Sequence, residues 1–185
     1  MFKNCSTFCE EQKTKRLILA AFAASIKANF PFQSTIFKSA SSDARLAEAS
    51  ITAVIPSANI IAMGDYNDHP DDESMLEIMK AKKTIAEMGK GDLLNMIWQY
   101  EFKKGTHKYD HEWGILDQFV VSKGLIDSTS NLYSKQELAQ IFDADYLLEP
   151  EKDGVGKITN RTYIGFSFHG GYSDHLPIYM DVLFK

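Results

Sequence analysis

At 185 residues and a net charge of −5, the chain can bury one sizeable core and lacks the Lys/Arg surplus of a general nucleic-acid binder. Its 44% hydrophobic and 24% charged residues are ordinary for a soluble globular protein. The acidic balance leaves phosphate chemistry open, because a bound divalent cation supplies positive charge of its own.

Cys5 and Cys9 lie close together with no second pair to complete a zinc site. Lys13 to Arg16 form a basic flank before the apolar run Leu17 to Ser25, a signal-like pattern over 13–25 with Glu10 and Glu11 ahead of it. The same Ala-rich residues predict a helix over about 13–28, closed by Asn29 and Pro31. Cytoplasmic and exported locations therefore both stay open, and no stretch is long enough to span a membrane. Ser34 to Ser42 reads as a loop. Asp43 then caps a helix from Arg45 to Val54 with Leu46, Ala49 and Ala53 on one face, ended by Pro56.

Asn59 to Asp68 is the most informative stretch. An Ile-rich run stops at Gly64 and delivers Asp65, Asn67 and Asp68, which predicts a buried strand with functional or turn-forming polar groups at its end. Period-two alternation would turn Asp65 and Asn67 to the same side. The acidic turn His69 to Glu73 caps a further helix from Ser74, with Met75, Leu76, Ile78, Met79 and Ile85 on its apolar face. Leu93 to Phe102 reads as irregular or short strand. Lys103 to Tyr109 is a small basic loop, solvated by default, with a phosphate-facing role as the alternative.

Trp113 to Ser122 predicts a second strand that carries Asp117 among apolar neighbours. A buried carboxylate must be paired or hydrogen-bonded. Ser134 to Ile141 reads as a short helix, Glu149 to Lys157 as an exposed loop, and Arg161 to Phe166 as strand. Gly170 to Pro177 turns into a last strand, Ile178 to Phe184, so that Ser173-Asp174-His175 stands at a strand entrance. Asp68 reads as a turn cap, and His69, His107, His111 and His169 have no ligand spacing. Arg161 suits either a phosphate or a strand surface, and Trp113 and Tyr172 suit a cleft border or packing.

Three stretches in this order, Gly64-Asp65-Tyr66-Asn67-Asp68, Trp113-Gly114-Ile115-Leu116-Asp117-Gln118-Phe119 and Ser173-Asp174-His175-Leu176-Pro177, resemble the endonuclease/exonuclease/phosphatase family, most closely its bacterial members. The resemblance implies an α/β (α+β) fold of the DNase I-like type, a layered β-sandwich flanked by helices. It covers 43–185 and leaves 1–42 as an unassigned helix and Ser-rich loop. It implies a Mg²⁺- or Mn²⁺-dependent phosphoesterase, either phosphodiesterase (nuclease included) or phosphomonoesterase, acting on a nucleic acid, a lipid head group or a small phosphate ester. Asp65 would orient or deprotonate the attacking water, and Asn67 would donate to a phosphate oxygen. Asp174 would hold the metal, and His175 would contact the scissile phosphate. Asp117 would accept the other ring N–H of His175. Family members carry an early Asn, a strand-borne Glu and a second His that have no counterpart before Asp65, so the chain resembles the C-terminal half of such a domain. That departure implies an alternative, an inactive truncated module that dimerises or joins a complementary fragment.

Overall fold

Short β-rich segments set between turn residues pair into two main sheets and three two-stranded hairpins in the computed structural model, which describes residues 15–21, 35–37, 59–101, 103–152 and 155–185. In chain order the strands are β1 (Lys15–Ala21), β2 (Thr35–Phe37), β3 (Ile60–Asp65), β4 (Ala81–Lys82) and β5 (Leu93–Asn95). A second group comprises β6 (His107–Tyr109), β7 (Glu112–Gly114), β8 (Asp117–Ser122), β9 (Leu132–Tyr133) and β10 (Ala139–Ile141). The last are β11 (Leu148–Pro150), β12 (Lys157–Thr159), β13 (Tyr163–Ile164), β14 (Ser167–Phe168) and β15 (Ile178–Phe184). One sheet runs β2-β3-β8-β5-β4; the other centres on β15, flanked by β1 and β10, with β9 also pairing β15.

Alternation explains why the sheets stack. Ile61 and Met63 of β3, and Phe119 and Val121 of β8, face one side and pack with Ile178, Met180 and Val182 of β15 and Ile141 of β10. Their neighbours Ala62 and Val120 face the other side and pack with Met75, Met79 and Leu93. The result is an α/β layered sandwich with its main core between the sheets.

Several local expectations give way to tertiary pairing. The helix over about 13–28 is contradicted at Lys15–Ala21, which is a strand running antiparallel to the whole of β15. Ala propensity is a weak preference beside a full ladder of backbone hydrogen bonds. Thr35–Phe37, inside the expected loop, is a strand parallel to β3. The expected helix over 45–54 lies outside the described residues. The helix from Ser74 is reduced to one wide turn, Ser74–Ile78, because Lys80 takes a left-handed φ of 55° and the chain enters β4 beside β5. In the expected 134–141 helix only Gln136–Leu138 forms a turn, a 3-10 one; Ala139 and Ile141 instead pair with Met180 and Ile178.

The expected strand Trp113 to Ser122 breaks at Ile115 and Leu116. Thr106, fully buried, is the cause: its Oγ1 accepts the backbone N–H groups of Leu116 (3.0 Å) and Asp117 (3.1 Å), while its carbonyl accepts the N–H of Leu176 (2.7 Å). One residue, through its hydroxyl and its carbonyl, thus ties the approach to β6, the start of β8 and the entrance to β15 together. Thr106→Val keeps the shape and orphans two backbone donors, so urea unfolding should show a loss of roughly 1–3 kcal/mol. A loss below about 0.5 kcal/mol would show that Thr106 is not the tie.

The basic loop forms the β6–β7 hairpin, turning through Asp110 (φ 46°) and His111 (φ 70°), but it is not wholly solvated. Lys108 is buried, its Nζ 2.6 Å from Glu151, which also meets His111 at 3.0 Å. The stretch expected as an exposed loop after Glu149 therefore contributes a nearly buried carboxylate, and its ends pair as β11 and β12.

Candidate functional site

Two strand ends and one strand entrance meet above the sandwich. Asp65 closes β3 and Asp117 opens β8, and the antiparallel register sets them directly opposite each other. Residues directly opposite in such a ladder share a face. The entrance to β15 is pinned from two directions: Thr159 Oγ1 donates to the Asp174 carbonyl (3.1 Å), and His107 of β6 forms a single antiparallel bridge with His175. The His175 N–H is further held by Ser173 Oγ at 3.1 Å.

This brings His175 onto Asp117, with Nδ1 to Oδ2 at 2.6 Å and the two side chains 12% and 2% exposed. A carboxylate only accepts, so Nδ1 carries the proton and Nε2 is the nitrogen turned to other work. Burial pushes the His175 pKa down, but the hydrogen bond and charge of Asp117, together with the charges of Asp65 and Asp174, outweigh it, and the net shift is upward. The buried carboxylate of β8 thus has the imidazole partner that the sequence implied.

Asn67 departs from expectation. The alternation that would align it with Asp65 ends at the strand's last residue, because Asn67 is left-handed (φ 52°), exposed, and donates its backbone N–H to Asp65 Oδ1 (2.9 Å). It sits in an Asx turn, for which Asn is well suited. Asp68 caps as expected, accepting Ser74 Oγ at 2.6 Å, and Gln118 Nε2 donates to its carbonyl at 2.6 Å. The loop after β3 is thereby tethered to β8.

His107 is the residue that spacing did not reveal. Its ring lies 4.6 Å from that of His175 at a 39° tilt. Burial lowers its pKa, and the neighbouring His175 and Arg161 lower it further against Asp174 and Asp117. Arg161 Nη2 donates to the Lys108 carbonyl (3.0 Å), which places the guanidinium beside β6 and not on an open strand surface. His107 also borders a cavity of about 340 Å³ with His69, Tyr109, Trp113 and Gly114. A Cβ at Gly114 would stand 2.5 Å from the His69 ring, so a side chain there would displace that exposed imidazole from the cavity wall.

One ligand atom from each of His107, Asp174 and His175 lies within 4.8 Å of the others. This group can hold a divalent ion. Its two nitrogens and one carboxylate are a mixed donor set, whereas Mg²⁺ prefers an octahedral shell of oxygens. The cluster therefore does not fit Mg²⁺ as an all-oxygen site.

The sequence profile of the Endonuclease/Exonuclease/phosphatase family matches residues 34–183, and the chain belongs to that family. Enzymes of the family are hydrolases that act on phosphoesters and generally depend on a divalent metal. Among solved structures, an endonuclease/exonuclease/phosphatase family protein from Bacteroides thetaiotaomicron is 16% identical with a TM-score of 0.41, covering 82% of this chain and 49% of its own. A functionally unknown conserved protein from Enterococcus faecalis is also 16% identical (TM-score 0.41, coverage 85% and 52%). The mannosyl-6-phosphatase Bt3783 of Bacteroides thetaiotaomicron is 16% identical as well (TM-score 0.39, coverage 82% and 50%). The chain thus spans about half the length of these structures. No curated protein matches it.

Proposed function

We propose that this chain is the catalytic part of a divalent-metal-dependent phosphoesterase in which Asp65, Asn67, Asp117, Asp174 and His175 do the work. The Asp117–His175 pair carries this reading, since a carboxylate-bound imidazole at a strand entrance supplies a cation where a phosphate must be held. Asp65 takes the proton of the attacking water, whose oxygen bonds to phosphorus as the bond to the alcohol oxygen breaks, and the departing alkoxide takes its proton from solvent water. Asn67 donates to a non-bridging oxygen, and His175 stabilises the charge that develops there. Asp174 is the oxygen donor to the metal, for which Mg²⁺ and Mn²⁺ are the expected ions. The adjoining cavity of about 340 Å³ and the absence of a basic surplus favour a small phosphoester over duplex DNA.

The test is hydrolysis of p-nitrophenyl phosphate and bis-p-nitrophenyl phosphate with Mg²⁺ or Mn²⁺. Asp65→Ala and His175→Ala should each lower kcat by about 10²–10⁴-fold. Variants as fast as the parent would overturn the assignment.

A second reading, an inactive module that associates with a partner or complementary fragment, draws on the exposed apolar group at β13–β14. There Tyr163, Ile164, Phe166 and Phe168 all face solvent. It predicts a dimer or hetero-complex by light scattering and no turnover under any metal.

A further inference from the structure

The two imidazoles at the site present a nitrogen-donor pair for which phosphate hydrolysis has only one use. His175 has Nδ1 committed to Asp117 at 2.6 Å, which leaves Nε2 as its ligand atom. A metal-bound histidine that donates its other N–H to a carboxylate is the usual supporting arrangement, and here that support stands in place before any ion binds. His107 stacks against the same ring at 4.6 Å, so β6 and the entrance to β15 bring two imidazoles side by side. Asp174 closes the triangle, with an exposed side chain on a backbone held by Thr159. One donor atom from each of the three residues lies within 4.8 Å of the other two. A tetrahedral ion with bonds of about 2.0–2.1 Å draws its ligands in by roughly an ångström, within reach of rotation of the Asp174 side chain.

We propose that His107, Asp174 and His175 form a three-ligand site for a borderline transition-metal ion, Zn²⁺ in the first place, with the fourth position open to water. Two imidazoles and one carboxylate suit Zn²⁺ and disfavour Mg²⁺, which dehydrates reluctantly and seeks oxygen. Zn²⁺ seated there takes both the Asp174 carboxylate that would hold the catalytic ion and the His175 Nε2 that would face phosphate, so the ion acts as an inhibitor that displaces both. The binding claim stands apart from the phosphoesterase reading; only the inhibition rests on it.

The test is Zn²⁺ titration by calorimetry on metal-free chain carrying Cys5→Ser and Cys9→Ser, which removes the thiols as competitors. The expected result is one equivalent bound and not displaced by a large excess of Mg²⁺. His107→Phe, which keeps an aromatic ring beside His175, should weaken binding at least about 10-fold. Asp117→Asn should weaken it by roughly 10–100-fold through the supporting hydrogen bond. Co²⁺ in place of Zn²⁺ should give the intense visible absorption of four-coordination, lost in His107→Phe. Affinity unchanged in both His107→Phe and Asp174→Asn would overturn the site, as would loss of binding in His69→Gln alone. Displacement by equimolar Mg²⁺ would equally overturn it. Zn²⁺ binding without turnover by any metal form would leave this site standing and sink the phosphoesterase reading.

Discussion

Asp117→Asn should lower the His175 pKa and reduce phosphoester hydrolysis by roughly 10²-fold or more, while the fold survives. The substitution keeps the shape and an acceptor oxygen 2.6 Å from Nδ1 and removes only the charge. That charge and its hydrogen bond are the main upward influences on a ring that burial pushes the other way. NMR titration of the ring protons in EDTA-treated parent and variant reads the shift directly. The sign for stability follows from linkage. His175 is raised in the folded state, so its contribution is fully present below the unfolded-state His value, near 6.5, and is lost as pH rises through the folded value. In the variant that loss should move to lower pH, together with any alkaline limb of the rate profile that reports the imidazolium. An unchanged titration would mean that the carboxylate does not govern the ring.

Phe119→Ala is expected to be the most destabilising substitution, by roughly 3–5 kcal/mol. Phe119 is fully buried on β8 and faces the space between the sheets, where residues of β3, β5, β10 and β15 surround it. Domains of this size have about 5–15 kcal/mol in hand, so the variant should lie near the edge of folding at physiological temperature. Urea denaturation should show a lower midpoint with an unchanged slope. Val120→Ala, on the opposite face, removes fewer buried carbon atoms and should cost less. If Phe119→Ala cost under about 1 kcal/mol, the layer between the two sheets would not be the main core.

What the sequence made legible was local and chemical: apolar runs that stop at polar residues. Asp65 at the end of β3, Asp117 in an apolar strand and Asp174-His175 before β15 all lie where pattern and turn residues put them. Elements decided by distant partners were not legible. Lys15–Ala21 has the composition of a helix and becomes a strand because β15 offers it a ladder. The breaks at Lys80 and at Ile115–Leu116 depend on β5 and on Thr106, which no local window contains. His107 stayed hidden for the same reason. Its partner in the site lies far along the chain, and only the bridge between β6 and the residues before β15 reveals it. The cue within reach was a single His in the short basic loop Lys103 to Tyr109, too common a feature to single out.

The pairing of β1 with β15 has a consequence for the order in which the molecule assembles. Lys15 meets Phe184, so this ladder joins opposite ends of the described chain and closes a very long loop. Closing such a loop costs only slightly more than closing a moderate one, but contacts of high sequence separation form late and slow the search. The antiparallel contact of β3 with β8, and of β8 with β5, can be made earlier from segments much nearer in the chain. Asp65 and Asp117 are then in register while His175, 58 residues beyond Asp117, still waits for β15 to dock. Two facing carboxylates without their imidazole repel each other, which makes the half-assembled sheet a poor resting state and gives the arrival of the last strand an electrostatic pull as well as an apolar one.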